Sequence, residues 1–434
     1  VVKIKTTISK TKKRTDYVEL KSLGIQAFDS DNCYPQRTID IRNDSGTAKS
    51  CHKVIKKCTA GRSFTDENLG SVSLNRKGLT ADKLRQKIAD TITHHRGAII
   101  HFNYNGLGQK TEINFVPFEF GRLTLDDSIY PDRVAVYDNW DGKHGKFKKE
   151  NIKYIHKYDP FKVFEQVEAE EVKVKGDDLE ILAAKFDQYQ GQILYWTADG
   201  SDKYPLCAFD EVLEDCITEA QTKRFKCSTS SRNFMPSHYV VTGADEVQED
   251  ENGNAIEGGG GLGDVLQDFQ GGEEAGKIIH IQKDTAEEPF EIVKVEIQQY
   301  DRLLEHTEDS STEDIVRAFN VPDILVLRRD GGLGGNGAEL YEARTYLNEN
   351  TQPDRDTISQ IIEDCFDNFV GNTGFTDFSI LPLQLEKPVE SSDVTTLMSI
   401  IKDPELNREQ KAEILSLVHR LSEARINKLL GNIV

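Results

Sequence analysis

Gly332-x-Gly334-x-x-Gly337 has the spacing of a dinucleotide-binding turn, in which small residues let a helix N-terminus approach a pyrophosphate. A β-rich stretch precedes it and a helical stretch follows, with Glu349 and Asp354 near the place where such a turn puts its ribose-binding acid. Three features oppose that chemistry. The next strand-like run begins only near Asp377, too late for a βαβ unit. Arg328-Arg329-Asp330 is too charged to end a buried parallel strand. No alternating β and α units surround the run to build a doubly wound sheet. An NAD- or FAD-dependent oxidoreductase is therefore the alternative reading, and a flexible loop the preferred one. That loop comprises Arg328, Arg329, Asp330, Gly331, Gly332, Leu333, Gly334, Gly335, Asn336 and Gly337.

The other constellations are weaker. Gly258–Gly263 lacks the Gly-Lys-Ser/Thr of a phosphate-binding loop and reads as a loop tip. Cys33, Cys51, His52 and Cys58 do not have the paired short spacings of structural zinc sites, so Cys51 and Cys58 read as buried free thiols on one helix face. His94, His95 and His101 straddle a helix end and a strand, where capping or solvent contact is expected. Asp138-x-Trp140-x-Gly142 and Asp250-x-Asn252-x-Asn254 echo calcium loops, but each misses a required position and reads as a turn. With no nucleophile elbow and no His-Glu-x-x-His, nothing in the sequence calls for an enzyme, a cofactor or a metal.

The composition narrows the function classes. A net charge of −20 excludes roles that depend on globally attracting phosphate. No apolar run approaches the ~20 residues that cross a bilayer, so no membrane partner is expected. Seven scattered cysteines are not a disulfide framework and suit a soluble protein assembled in a reducing cytoplasm. Val1–Lys13 is basic, lacks the apolar core of a secretory signal, and reads as a strand or a basic arm.

The elements that would position these residues follow from periodicity. Lys49–Cys58 predicts a helix ending near Gly61, and Thr80 caps a second helix with Leu84, Ile88 and Ile92 on one face. Ala98–Tyr104 and Thr111–Val116 flank Asn105-Gly106, a strong hairpin signal. Strands at Arg133–Tyr137 and Gln192–Trp196 and a polar helix at Asp177–Tyr189 complete an α+β domain over 1–205. A helix from Phe209 towards Phe225 follows. Next comes an insert, Thr242–Tyr300, with fifteen acidic and three basic residues and strand-like runs at Lys277–Gln282 and Phe290–Ile297, after His238–Thr242. Asp301–Phe319 is helical and ends at Pro322. Asp323–Arg329 is strand-like or extended, and Ala338–Phe369 is a long helical stretch interrupted near Pro353. Asp377–Leu385 is a short strand, and the tail is a helix pair split at Pro404.

Two helices bracketing an insert can lie antiparallel as a stalk. This order of parts resembles the portal proteins of tailed bacteriophages, and local motifs agree. Asp314-Ile-Val-Arg-Ala-Phe-Asn-Val-Pro322 is similar to the family's Ile-x-Arg-Ala-Phe-Gly-Val-Pro, with Asn320 in place of glycine, a change suited to a left-handed position. Asp268-Phe-Gln-Gly-x-Glu-x-Ala-Gly-Lys277, Tyr341–Gln352 with Pro353, and Ala89–Asn105 running on to Glu112-Ile-x-x-Val-Pro-Phe-Glu119 resemble further family segments. The resemblance spans most of residues 80–370.

The resemblance implies an α+β, portal-like fold: wing 1–205, stem helix 206–236, clip 237–300, second stem helix 301–322, tunnel loop, long helix and return to the wing 323–385, and helical crown 386–434. It implies a homo-oligomeric ring of about a dozen copies at one capsid vertex of the virion, assembled in the bacterial cytoplasm. The implied partners are the terminase large subunit, the major capsid protein, a head-completion or adaptor protein, and double-stranded DNA passing through non-specifically. Arg328–Gly337 would face the channel. Arg328 and Arg329 could touch DNA there, or could pair with Asp323 or Asp330. Stem contacts between copies would use Val212, Leu213, Cys216, Ile217, Leu303 and Leu304. Another phage structural protein is the remaining alternative.

Overall fold

The computed structural model describes residues 18–143, 145–170, 178–198, 204–231, 238–242, 279–282, 291–294, 300–327, 337–385, 399–403 and 407–417, with Ile426 and Leu430. The chain opens with the paired strands β1 (Glu19–Leu20) and β2 (Ile25–Gln26), followed by helices α1 (Tyr34–Asp44) and α2 (Gly46–Ala60). Ser45 separates the two helices and caps the second, its hydroxyl accepting from the Ala48 amide at 3.0 Å. Gly61, at φ +63°, ends α2. Strand β3 (Ser63–Phe64) leads to α3 (Ala81–His95), whose cap is Thr80, accepting from the Lys83 amide at 3.3 Å.

Strands β4 (Gly97–Tyr104), β5 (Lys110–Val116), β6 (Gly121–Leu123), β7 (Arg133–Val136) and β8 (Lys153–Lys157) come next. After helices α4 (Val163–Glu168) and α5 (Asp178–Gln188), β9 (Gln192–Thr197) completes a six-stranded sheet in the order β5-β4-β9-β8-β7-β6. Its pairs are antiparallel except β8–β9. Strand β4 shows why the sheet is buried on both faces. Ala98, Ile100 and Phe102 enter a core with α3, while Ile99, one residue out of phase, enters a second core with Phe118, Val134 and Ile193. The outer edge of β5 is closed by backbone bonds: Lys110 N to Asn368 O at 2.9 Å, Val370 N to Lys110 O at 3.0 Å and Ile113 N to Leu74 O at 2.8 Å.

The second half contains α6 (Leu213–Ser231), strands β10 (His238–Thr242), β11 (Ile279–Gln282) and β12 (Glu291–Lys294), then α7 (Tyr300–Ala318). The three strands form a separate sheet with β10 central, parallel to β11 and antiparallel to β12. Helices α8 (Gly337–Asn350) and α9 (Gln352–Phe366) follow. Helix α9 returns to the first body: Ile358, Ile361, Ile362, Cys365 and Phe366 share a core with Leu84, Ile88 and Ile92 of α3. Strand β13 (Ile380–Leu381) pairs with β3. Towards the C-terminus, Ile401, Leu415 of α10 (Arg408–Leu417), Ile426 and Leu430 form a small cluster of their own.

Two sequence expectations change. Asp323–Leu325 is a 3-10 helix rather than a strand, because Pro322 fixes the turn into it and no strand among the described residues offers a ladder. His94 and His95 are buried, 1% and 4% exposed, so the expected solvent contact is not made. The helical stretch after Ala338 is interrupted near Pro353 as expected: it is two helices, broken at Thr351, with Pro353 tolerated in the first turn of the second. All seven cysteines are free thiols, with Cys51 and Cys58 buried.

Candidate functional site

Helices α6 and α7 pack together as an antiparallel pair. Lys226 pairs with Glu308 near one end, while burial and the charges of Asp314 and Glu214 raise the Asp215 carboxyl near the other. The root of the pair lies in the body's second core, where Val212, Cys216, Ile315, Val316 and Phe319 are buried. Phe209, just before α6, stacks on Phe319, just after α7, at 5.1 Å, so one ring contact joins both helix ends.

Two polar devices hold this root. Glu219 of α6 is fully buried and accepts hydrogen bonds from Ser45 Oγ, Thr47 Oγ1 at 2.9 Å and the Lys223 ammonium. Burial acts to raise its carboxyl, but these donors outweigh burial and hold it below the ordinary value. It also sits on the first turn of α2, where a negative charge is favoured. Glu219→Gln keeps the shape but turns an amide donor towards donors. We expect a loss of about 2–3 kcal/mol, measured as a lower urea midpoint at unchanged slope. A wild-type midpoint would remove Glu219 as an anchor.

The second device lies beneath Phe209. The His94 ring meets it edge-on at 5.2 Å, and the Ala208 amide donates to the His94 carbonyl at 2.9 Å. Nδ1 of His94 lies 3.1 Å from Arg42 Nη1, and Nε2 lies 3.2 Å from Thr38 Oγ1, whose hydroxyl donates to Pro35 O at 3.0 Å. Arg42 has only N–H to offer and the Thr38 proton is engaged, so His94 is the neutral tautomer protonated at Nε2. Arg42 also reaches His52 Nε2 at 3.0 Å, which lies equally close to Asp90 Oδ1.

The glycine run joins two elements that touch. Pro322 leads into the 3-10 helix Asp323–Leu325, and Leu325, Val326 and Leu327 pack on the second core. Helix α8 begins at Gly337 and packs on that 3-10 helix. Asn320 stands at φ +51°, the left-handed position expected for it, and its side-chain oxygen accepts from the Tyr346 hydroxyl at 3.1 Å. Residues 328–336, from Arg328 and Arg329 to Asn336, lie outside the described residues, as do the side chains of Leu303 and Leu304.

This setting argues against the dinucleotide fingerprint. Among the described residues before the glycines there is a 3-10 helix and no strand, and Glu349 and Asp354 fall in helices rather than at a strand end. A cavity of about 280 Å³ at the base of the loop is lined by Val54, Leu325, Leu347 and Leu383 with Lys57 and Arg344, and no carboxylate among its lining residues could take a ribose hydroxyl. Among the described residues no group of His, Cys, Asp and Glu could hold a metal ion, and no helix is long and apolar enough to cross a membrane.

Of the stem residues named from sequence, Val212 and Cys216 are committed to the chain's own core, Leu213 is half-buried and Ile217 is 43% exposed. Glu219 and the Phe209–Phe319 stack were not singled out, and His94 was noted only for its place at a helix end. Glu219 left one signal, a carboxylate beside Ala220 on the helix face that Val212 and Cys216 make apolar.

No family model and no curated protein matches the chain. Among solved structures it is similar to a chain in the neck of a native gene transfer agent particle computed with C12 symmetry, at 13% identity and TM-score 0.44, over 92% of this chain and 94% of that one. It is likewise similar to a chain in the virion of a native gene transfer agent particle, at 13% identity and TM-score 0.44, over 91% and 93%. An HK97-family phage portal protein from Corynebacterium diphtheriae aligns at 11% identity and TM-score 0.36, over 71% of this chain and 85% of that one.

Proposed function

We propose that this chain is the subunit of a bacteriophage portal ring, a non-enzymatic component of the virion that conducts the genome through one capsid vertex. The observation that carries the reading is the antiparallel α6–α7 pair, rooted in an α+β body at one end and bracketing a separate three-stranded sheet in sequence. The pairing supports reading the two helices as the stalk that the order of parts implies. In these terms residues 1–205 with α9 and β13 are the wing, α6 and α7 the stem, 237–300 the clip, and 386–434 the crown.

The physics of a channel suits the sequence. Each subunit carries a net charge of −20, and a closed ring repeats it around the bore. Phosphates would then be repelled and slide rather than bind, with the repulsion screened over ~10 Å in physiological salt. Arg328–Gly337 is the proposed tunnel loop, joining the 3-10 helix Asp323–Leu325 to α8, which packs on it. The stem face left for contact between copies centres on Ile217, with Leu213 at its margin. The terminase large subunit, the major capsid protein and a head-completion or adaptor protein are the proposed docking partners.

Negative-stain images of the purified chain test the reading: closed rings are expected, and a monomer at every concentration would overturn it. Deleting Gly331–Gly337 should leave rings intact while packaging or retention of DNA fails. A deletion that unfolds the chain would mean that the loop is part of the body. Calorimetry with NAD or FAD should show no binding heat.

A further inference from the structure

The connection from β7 into β8 carries a charge opposite to that of the whole chain. Residues 143–157 hold six lysines, Lys143, Lys146, Lys148, Lys149, Lys153 and Lys157, against one acid, Glu150. Over the full chain, 74 acidic residues outnumber 54 basic ones. Two of the six lysines are engaged: Lys143 pairs with Asp40 at 2.6 Å, and Lys157 with Asp132 at 3.7 Å. Lys146, Lys148, Lys149 and Lys153 are exposed, and none of the four forms an ion pair among the described residues.

The backbone beneath them is held. Asn139 Nδ2 donates to the Gly145 carbonyl at 2.8 Å, and the Lys148 amide donates to the Tyr137 hydroxyl at 3.1 Å. Phe147 meets the Tyr137 ring edge-on at 5.4 Å, so Lys146 and Lys148 flank an anchored ring. Lys149 opens a 3-10 turn (Lys149–Asn151), its ammonium reaching the Ser22 carbonyl, and Lys153 begins β8. The support is a small core of its own, Ile25, Ala135, Tyr137, Trp140 and Ile152. That core takes no residue from the helix pair or from the flanks of the glycine run.

We propose that this loop is a docking surface for the phosphate backbone of double-stranded nucleic acid, separate from the proposed tunnel loop. The inference rests on the ring reading only for which nucleic acid it meets. The net charge of −20 does not cancel the patch, because exposed charges beyond a screening length of about 8 Å are largely hidden in physiological salt. Lysine is a compact cation on a flexible stem, suited to a ligand that presents charge in many registers. A duplex is such a ligand. It carries one charge per ~1.7 Å of axis and gives up condensed counterions wherever a lysine neutralises a phosphate. Carboxylates on a protein surface would gain these lysines only the small energy of exposed ion pairs.

The test is fluorescence anisotropy of the full chain with a labelled duplex of about 12 base pairs, short enough to load one patch, over a salt series. Four phosphate contacts predict a slope of about −3.6 in log K against log salt, hence roughly a hundredfold loss of affinity between about 50 and 200 mM. Lys146→Gln, Lys148→Gln and Lys153→Gln combined should flatten the slope to about −1 and weaken binding at least about tenfold at the lower salt. Melting should stay at the wild-type value, since the positions are exposed. A control that removes the same charge elsewhere, Lys49→Gln, Lys53→Gln and Lys57→Gln on the exposed face of α2, should bind as wild type. A wild-type chain that does not bind, or a control that loses as much as the loop variant, would overturn the proposal. So would displacement of the duplex by polyglutamate at equal charge concentration, which would give the loop to an acidic protein. The ring reading fails separately: a monomer that binds duplex through these lysines keeps the surface, and rings that ignore duplex keep only the ring.

Discussion

Arg355→Met is expected to lower the unfolding free energy of the body by about 4 kcal/mol, from the cost of leaving several buried acceptors without a donor. Arg355 is 1% exposed at the start of α9. Its guanidinium donates to the Cys58 carbonyl at 2.8 Å, to Thr351 Oγ1 at 2.8 Å, to Gln352 Oε1 at 2.8 Å and to the Asn348 carbonyl at 2.5 Å. One planar group therefore ties the end of α2, the break between α8 and α9, and the first turn of α9. The Cys58 carbonyl belongs to the last turn of α2, where a cation is favoured by the helix dipole. Methionine fills the volume but offers no donor. Lysine keeps the charge but supplies three donors from a point rather than a fork, so Arg355→Lys should fall between, at about 2 kcal/mol. For a body of this size a 4 kcal/mol loss corresponds to roughly 10 °C in melting temperature. Urea titration of both variants decides it. A loss below 1 kcal/mol for the methionine variant would show that the return of α9 does not depend on this contact.

The part of the architecture written in short-range pattern was legible. Thr80 and the Leu84–Ile88–Ile92 spacing gave α3, Asn105-Gly106 gave the β4–β5 hairpin, and Asn320 marked a left-handed turn. The pairing of α6 with α7 followed from two apolar-faced helices around an acidic insert. Helix α1 was harder, since Ile39 and Ile41 stand two apart and suggest no helical face. The sheet order was hidden for a different reason. Strands β8 and β9 pair parallel across a connection of two helices, a choice made by tertiary packing and not by either strand's own residues. The candidate site divides in the same way. Helices α7 and α8 on either side could be read locally, but the root of the site depends on distant partners: Glu219 with Ser45, Phe209 with Phe319, His94 with Arg42. The expected solvent contact of His94 and His95 failed because a histidine pair at a helix end looks the same whether or not α1 and Phe209 cover it.

That burial is expected to make the body acid-labile, and the sign follows from the direction of the shifts. Burial, reinforced by Arg42, pushes His95 down to about 3, and burial with His95, Arg42 and His52 nearby holds His94 well below the ordinary histidine range. His52 is also lowered, by burial and Arg42 against the pull of Asp90. At neutral pH the rings are uncharged in both the folded and unfolded chain, so they neither add nor remove stability. Below about 6.5 the unfolded chain takes up protons that the folded one refuses, and stability falls as pH falls, by up to 1.36 kcal/mol per unit for each group. By pH 5, His94 and His95 together should have removed about 4 kcal/mol, a large part of a 5–15 kcal/mol total. Asp90 is held low by His52 and Lys56 despite burial, so its stabilising charge is lost only below the ordinary carboxylate range and does not mask the effect. The geometry gives the cause directly. A proton on His94 Nδ1 would face the Arg42 N–H at 3.1 Å, replacing an accepted hydrogen bond with two opposed donors beneath the Phe209–Phe319 joint. Urea midpoints at pH 7.5 and pH 5 measure the fall, and His95→Phe, which preserves the stack on Phe118 at 5.1 Å, should remove about half of it. Equal midpoints at the two pH values, or a full fall in the phenylalanine variant, would place the acid sensitivity elsewhere in the chain.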